Sequence, residues 1–241
     1  MTEPLASPLA TVRQALAFFK RPHSVLPGWE PLAEQVRPLL ALWALNLVGL
    51  FLILPLLMAW TRAMGIEPPQ MTKEIPAKWL ILLTVMVLPP LEEIVFRGWL
   101  TGKRWQLVLL GLIPAVLLGA FLFGLSRHLG PVLHYGLALL PLLAIAAALL
   151  LLRQRSERPA WFVRQFKWWY WGSALVFASA HYSNYHETGW AVLPVVLPQL
   201  WSGLVFGFTR LRFGILRSMA LHCASNAFVL AAFYLFGIPS A

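Results

Sequence analysis

An all-helical (all-α), polytopic membrane bundle is the fold class this sequence predicts, on three observations. Of its 241 residues, 59% are hydrophobic and only 12% are charged, about half the charged share of an ordinary soluble domain. Apolar runs of about 20 residues, long enough to cross a hydrocarbon core of roughly 30 Å, recur along the chain. Lys and Arg crowd into alternate intervals between those runs, the pattern of positive-inside topology.

Taken in order, residues 1–37 form a cytoplasmic or interfacial segment ahead of a transmembrane helical domain over 38–241. Met1 to Pro8 is neither basic nor followed by an apolar core of the right length, so no signal peptide is expected. Leu9, Val12, Leu16 and Phe19 share one helical face, which predicts an amphipathic helix lying in the membrane interface. Seven spans follow, at roughly 38–59, 77–96, 105–125, 131–152, 169–186, 191–209 and 214–237. Pro89 and Pro90 interrupt the second, freeing backbone carbonyls that protein or a water-filled cavity must satisfy. Gly111, Ala115 and Gly119 make a small-residue stripe in the third, suited to close helix packing. The third and fourth hold one ionisable group between them, His134. The fifth opens on Trp168, Trp169, Tyr170 and Trp171, suited to an interface belt. Its second half turns polar, as a helix facing other helices or water would.

Charge supplies the orientation and removes several functions. With the N-terminus in the cytoplasm, Arg13, Lys20, Arg21, Arg37, Arg97, Lys103, Arg104, Arg153, Arg155, Arg158, Arg164, Lys167, Arg210, Arg212 and Arg217 all fall inside. Only Arg62, Lys73, Lys78 and Arg127 fall outside, which predicts an outer C-terminus. The net charge of +10 then reports topology and attraction to anionic membrane lipid; it calls for no nucleic acid. All nine acidic residues are glutamates, so two-aspartate proteolysis and Ser-His-Asp triads are excluded. Cys223 is the single cysteine, which excludes a disulfide framework and multi-cysteine metal sites.

Seven glutamates lie in aqueous segments, whereas Glu92 and Glu93 sit inside the second span. A charge near the centre of a membrane helix costs about 2.5–3.5 kcal/mol, so such residues mark function or pairing. Glu93 and Arg97 are four apart and can form an ion pair on one face. Glu92 projects about 100° away from that pair, free to face a cavity. Two more spans carry polar groups, namely His181 four residues after Phe177, and His222 with Asn226 four residues on. Counted from the cytoplasmic ends at 1.5 Å per residue, Glu92 and His222 lie on the order of 10 Å deep and His181 about 18 Å. Each group alone has a structural reading, as an ion pair, a packing histidine or an interhelical hydrogen bond. Three helices bringing ionisable groups to similar depth point instead to one shared site.

A Glu and a His sharing a water can remove its proton, and a His N–H with an Asn amide can hold the oxyanion of amide hydrolysis. Glu92, His181 and His222 are also a donor set for a divalent metal such as zinc, although no HExxH motif is present. No GxSxG turn supports serine chemistry. Glu92-Glu93-x-x-x-Arg97, Phe177-x-x-x-His181 and His222-x-x-x-Asn226 resemble the three ordered motifs of the CPBP family, which comprises CAAX-protease and bacteriocin-processing intramembrane endopeptidases and includes type II CAAX prenyl proteases. Phe96-Arg97-Gly98 and the stretch from Gly203 to Phe213 resemble the family flanks, and the likeness covers 77–237.

The resemblance implies an intramembrane protease, glutamic-type or metal-assisted, whose site opens toward the cytoplasm. It implies that Glu92 and His181 activate water, Glu93 and Arg97 hold their helix with Phe177 in support, and His222 and Asn226 bind the oxyanion. No metal is required on this reading. The implied substrate is a peptide or membrane-anchored protein, lipidated or not, in the cytoplasmic membrane of a prokaryote. Two other classes share the pattern of buried Glu and His. A proton- or cation-coupled transporter would add an inverted repeat, which the sequence does not display. A non-catalytic immunity or scaffold protein would tolerate substitution of Glu92.

Overall fold

The computed structural model describes residues 7–28, 31–66, 77–108, 158–185 and 189–236, with isolated positions 110, 143, 146 and 150. The described residues form helices and no strand, in agreement with the predicted class. They fall into two compact units, one of 1–100 with 166–241 and one of 101–165.

In the first unit, α1 (Pro8–Lys20) opens on Ser7, whose side chain accepts from the Ala10 N–H, with proline in the first turn as N-terminal geometry favours. Its inward face is Thr11, Ala15, Phe18 and Phe19. Phe18 packs edge-on against Phe166, Tyr170 and Phe208. Of the predicted apolar stripe only Phe19 is buried; Leu9 is 59% and Leu16 39% exposed. Two adjacent aromatics have more area to bury than the Leu–Val stripe, so they set which face turns inward.

Helix α2 (Leu32–Met64) starts ahead of residue 38, runs through Pro38 and Pro55, and stops at Gly65 in the left-handed conformation. The next helical stretch has three parts, α3 (Ala77–Ile81), a π-helical turn (Leu82–Val87) and α4 (Leu88–Arg97). In the second unit, Gly102 has φ 72°, and a Cβ there would collide with the ring of Phe162. That ring, from α5 (Ala160–Arg164), is fully buried. Thr101 donates to the Gln106 side-chain oxygen.

The first unit resumes with α6 (Phe166–Ala180), which passes into a 3-10 turn at His181–Asn184. A second 3-10 segment, Trp190–Val196, leads into α7 (Leu197–Phe213). Gly214, at φ 93°, is the one residue between α7 and α8 (Ile215–Phe236). Among the described residues, four stretches are long and apolar enough to cross a membrane: Leu32–Met64, Trp79–Arg97, Trp190–Phe213 and Ile215–Ala232. They match the predicted first, second, sixth and seventh spans. The predicted third and fourth lie almost wholly outside the described residues. The fifth differs, because α6 has 15 residues, about 22 Å of helix, and gives way to the 3-10 turn where the sequence becomes polar.

Two other expectations change. Arg210, assigned to a cytoplasmic loop by the charge count, lies inside α7 and is buried. Its donors meet the Arg97 and Gly98 carbonyls, which makes burial tolerable. Of the expected aromatic belt, Trp168 is 67% exposed whereas Tyr170 is buried. Tyr170 donates its hydroxyl to the Leu204 carbonyl, and the Trp171 N–H donates to the Phe19 carbonyl, so both tie helices together.

Candidate active site

The sequence places two adjacent acids near the end of α4, and helix geometry gives them different surroundings. Glu93 is fully buried, whereas the Glu92 side chain is 25% exposed. Arg97, one turn on, reaches Glu93 Oε1 with Nη1 at 2.5 Å. Ser218 Oγ lies 2.5 Å from Glu93 Oε2, and His222 Nδ1 lies 3.1 Å from Oε1. Glu93 thus faces donors from its own helix and from α8. Arg97 Nε and Nη2 have no hydrogen-bond partner among the described residues. Aromatic faces stand there instead, with the guanidinium carbon 3.9 Å from the Phe177 ring centre and 5.5 Å from that of Phe206, within cation–π range.

Glu92 faces two imidazoles from different helices. His181 Nε2 lies 4.0 Å from Oε1, and His222 Nε2 lies 3.6 Å from Oε2. Separations of this size leave the polar atoms without a direct hydrogen bond and suit a bridging water. The far side of each ring is fixed. His181 Nδ1 is 2.9 Å from the Phe177 carbonyl; a carbonyl only accepts, so Nδ1 carries a hydrogen and Nε2 is the ring nitrogen turned toward Glu92. His222 Nδ1 is held by Glu93, and its ring stacks on Phe206 with centroids 4.5 Å apart. Phe177 stands edge-on to both imidazoles, at 4.8 Å from His181 and 5.8 Å from His222.

Glu92, His181 and His222 therefore meet, and the greater depth expected for His181 does not separate it from them. Glu93, Arg97 and Phe177 form the layer behind. Asn226 lies one turn beyond His222 on the same helix face, with Nδ2 2.8 Å from the Thr84 carbonyl in the π-helical turn. Glu92, His181 and His222 have the donor chemistry for zinc, yet among the described residues no three such side chains are arranged to hold a metal ion.

The chain matches the family described as Type II CAAX prenyl endopeptidase Rce1-like over residues 74–164 and 152–228, well over half its length. It belongs to that family. The match takes in all three motifs and identifies this Rce1-like chain as a CAAX-type intramembrane protease. Its apolar helices agree with an integral membrane protein. No curated protein and no solved structure matches the chain.

Several residues of the Rce1-like site escape the motifs. Ser218 is four residues before His222, so the spacing that pairs His222 with Asn226 also points to it. Phe206 and Arg210 lie in the Gly203–Phe213 flank but gave no individual sign, since a phenylalanine in an apolar helix and an arginine near a helix end are both ordinary. At Gly203 the packing is tight, since a Cβ there would lie 3.2 Å from Ala174 and 3.4 Å from Arg97 Nη2.

Proposed function

We propose that this chain hydrolyses a peptide bond in a membrane-associated or lipidated peptide or protein near the cytoplasmic face, with Glu92 and His181 activating the water. The carrying observation is the half-open Glu92 carboxylate, flanked by imidazoles at 4.0 and 3.6 Å while Glu93 beside it is sealed. A water between Glu92 and His181 Nε2 loses a proton to this pair as its oxygen attacks the scissile carbonyl. His222, donating from Nε2, and the Asn226 amide hold the developing oxyanion. The proton then passes to the leaving amine. No step is routed through a metal.

The excess of Lys and Arg in alternate segments supports a cytoplasmic N-terminus and an outer C-terminus. The outward Leu9 and Leu16, beside exposed Arg13, Lys20 and Arg21, support α1 as an interfacial helix. The test uses the purified full chain in detergent against a farnesylated CAAX peptide and a library of unlipidated peptides. Cleavage should fall on the order of 10²-fold or more in Glu92→Ala and His181→Ala, with unchanged rates under chelation. Equal cleavage by the two variants and the unsubstituted protein sinks the proposal.

A further inference from the structure

Pro89 and Pro90 lie immediately after the π-helical turn Leu82–Val87. Proline has no backbone N–H, so each removes one donor from the helix. The Leu88 N–H bonds to the Leu83 carbonyl, five residues back, in π-helical register. In that register the next carbonyl, that of Thr84, should receive the N–H of residue 89, which is proline. Leu88, its partner in α-helical register, is already engaged. The Thr84 carbonyl is thus orphaned by the sequence itself, within a membrane span, where an unmatched backbone group costs several kcal/mol.

Asn226 fills that vacancy from the facing helix. Its Nδ2 lies 2.8 Å from Thr84 O. The assignment does not depend on how the amide is flipped, because a carbonyl only accepts and the nitrogen end must face it. The bond joins the turn before Glu92 to the helix that carries His222 one turn earlier on the same face. We infer that Asn226 is a positioning residue: its amide replaces the backbone donor missing at Pro89 and locks the catalytic helix in register with α8. Nδ2 carries two hydrogens, so the one not engaged by Thr84 stays available to an oxyanion. The inference rests on the hydrolase reading for its kinetic consequence alone; the lock itself is read from stability.

The experiment is a double-mutant cycle on the full chain in detergent, with Asn226→Ala, Pro89→Ala and the pair. Alanine at 89 returns an N–H that serves Thr84 in π register, or frees that of Leu88 to do so in α register. Asn226→Ala alone should lower the thermal midpoint by about 2–4 °C and reduce kcat on the farnesylated peptide roughly tenfold, with KM little changed. In the Pro89→Ala background the midpoint loss should be clearly smaller, and the kcat loss smaller only by the share that register contributes, since the oxyanion hydrogen stays missing. Asn226→Leu keeps a similar size but removes the donor, and should also lower the midpoint. This arm holds even if Pro89→Ala does not fold. Equal midpoint losses in both backgrounds, or an Asn226→Leu protein with an undisturbed midpoint, overturn the inference. The midpoint needs no turnover, so a protein that cleaves none of the peptides fails the hydrolase reading separately.

Discussion

Glu93 commits both carboxylate oxygens to donors inside the protein, namely Arg97, His222 and Ser218. It is therefore unsuited to the water-activating role proposed for Glu92, although the two are neighbours in sequence. Its partner Arg97 is equally enclosed. A buried pair of this kind is strongly destabilised by removing one member, typically by 3–5 kcal/mol, because the other charge is left uncompensated. Arg97→Met should accordingly cost about that much and abolish activity, measured as a collapse of the thermal midpoint in detergent. Arg97→Met combined with Glu93→Leu removes both charges and should recover much of the midpoint without recovering turnover. At this scale the sequence was highly legible. The four-residue spacing of Glu93 and Arg97 specifies their ion pair, and the offset of Glu92 specifies its freedom. Ser218 was missed because serine in an apolar helix ordinarily bonds its own backbone.

Along α4, the end matters as much as the middle. The last carbonyls of a helix have no intrahelical donors, and here side chains from two other helices supply them. Ser173 of α6 donates to the Phe96 carbonyl at 2.7 Å, and Arg210 of α7 donates to those of Arg97 and Gly98 at 3.2 and 3.1 Å. A cation at a helix C-terminus is also favoured by the dipole. Arg210→Met should lower stability by about 1.5–3 kcal/mol, while Arg210→Lys, with no planar fork to span two carbonyls, should recover only part of it. Thermal unfolding of the two variants side by side checks this. Counting residues between apolar runs could not reveal the role, since that procedure assigns arginine near a span end to the loop. The same procedure made a span of residues 169–186, because hydropathy does not register the change from α to 3-10 geometry at His181.

For the molecule as a whole, the interfacial placement proposed for α1 rests on its outward apolar edge. Leu9 and Leu16 point outward while Phe18 and Phe19 hold the helix against α6 and α7 through ring contacts. Leu9→Glu with Leu16→Glu should leave the fold intact and weaken the response of activity to anionic lipid, measured in vesicles with and without a phosphatidylserine or phosphatidylglycerol fraction. An equal response from the variant and the unsubstituted protein would count against the interfacial placement. The all-helical class and the convergence of Glu92, His181 and His222 were readable from hydropathy and spacing. Which face of α1 turns inward was not, because it depends on rings from distant helices. Helix α2 carries one more implication. Its 33 residues measure about 50 Å, and at a tilt of about 40°, the upper end of the usual range, a straight rod of that length still rises about 38 Å. A bilayer interior of roughly 30 Å cannot contain it, so at least one end must emerge among lipid headgroups. The emerging end is set by polarity at Glu34, Gln35 and Arg37, and it is not idle. Gln35 accepts from Arg217 Nε at 3.1 Å, so the surplus length becomes a brace on the first turn of the helix that carries His222.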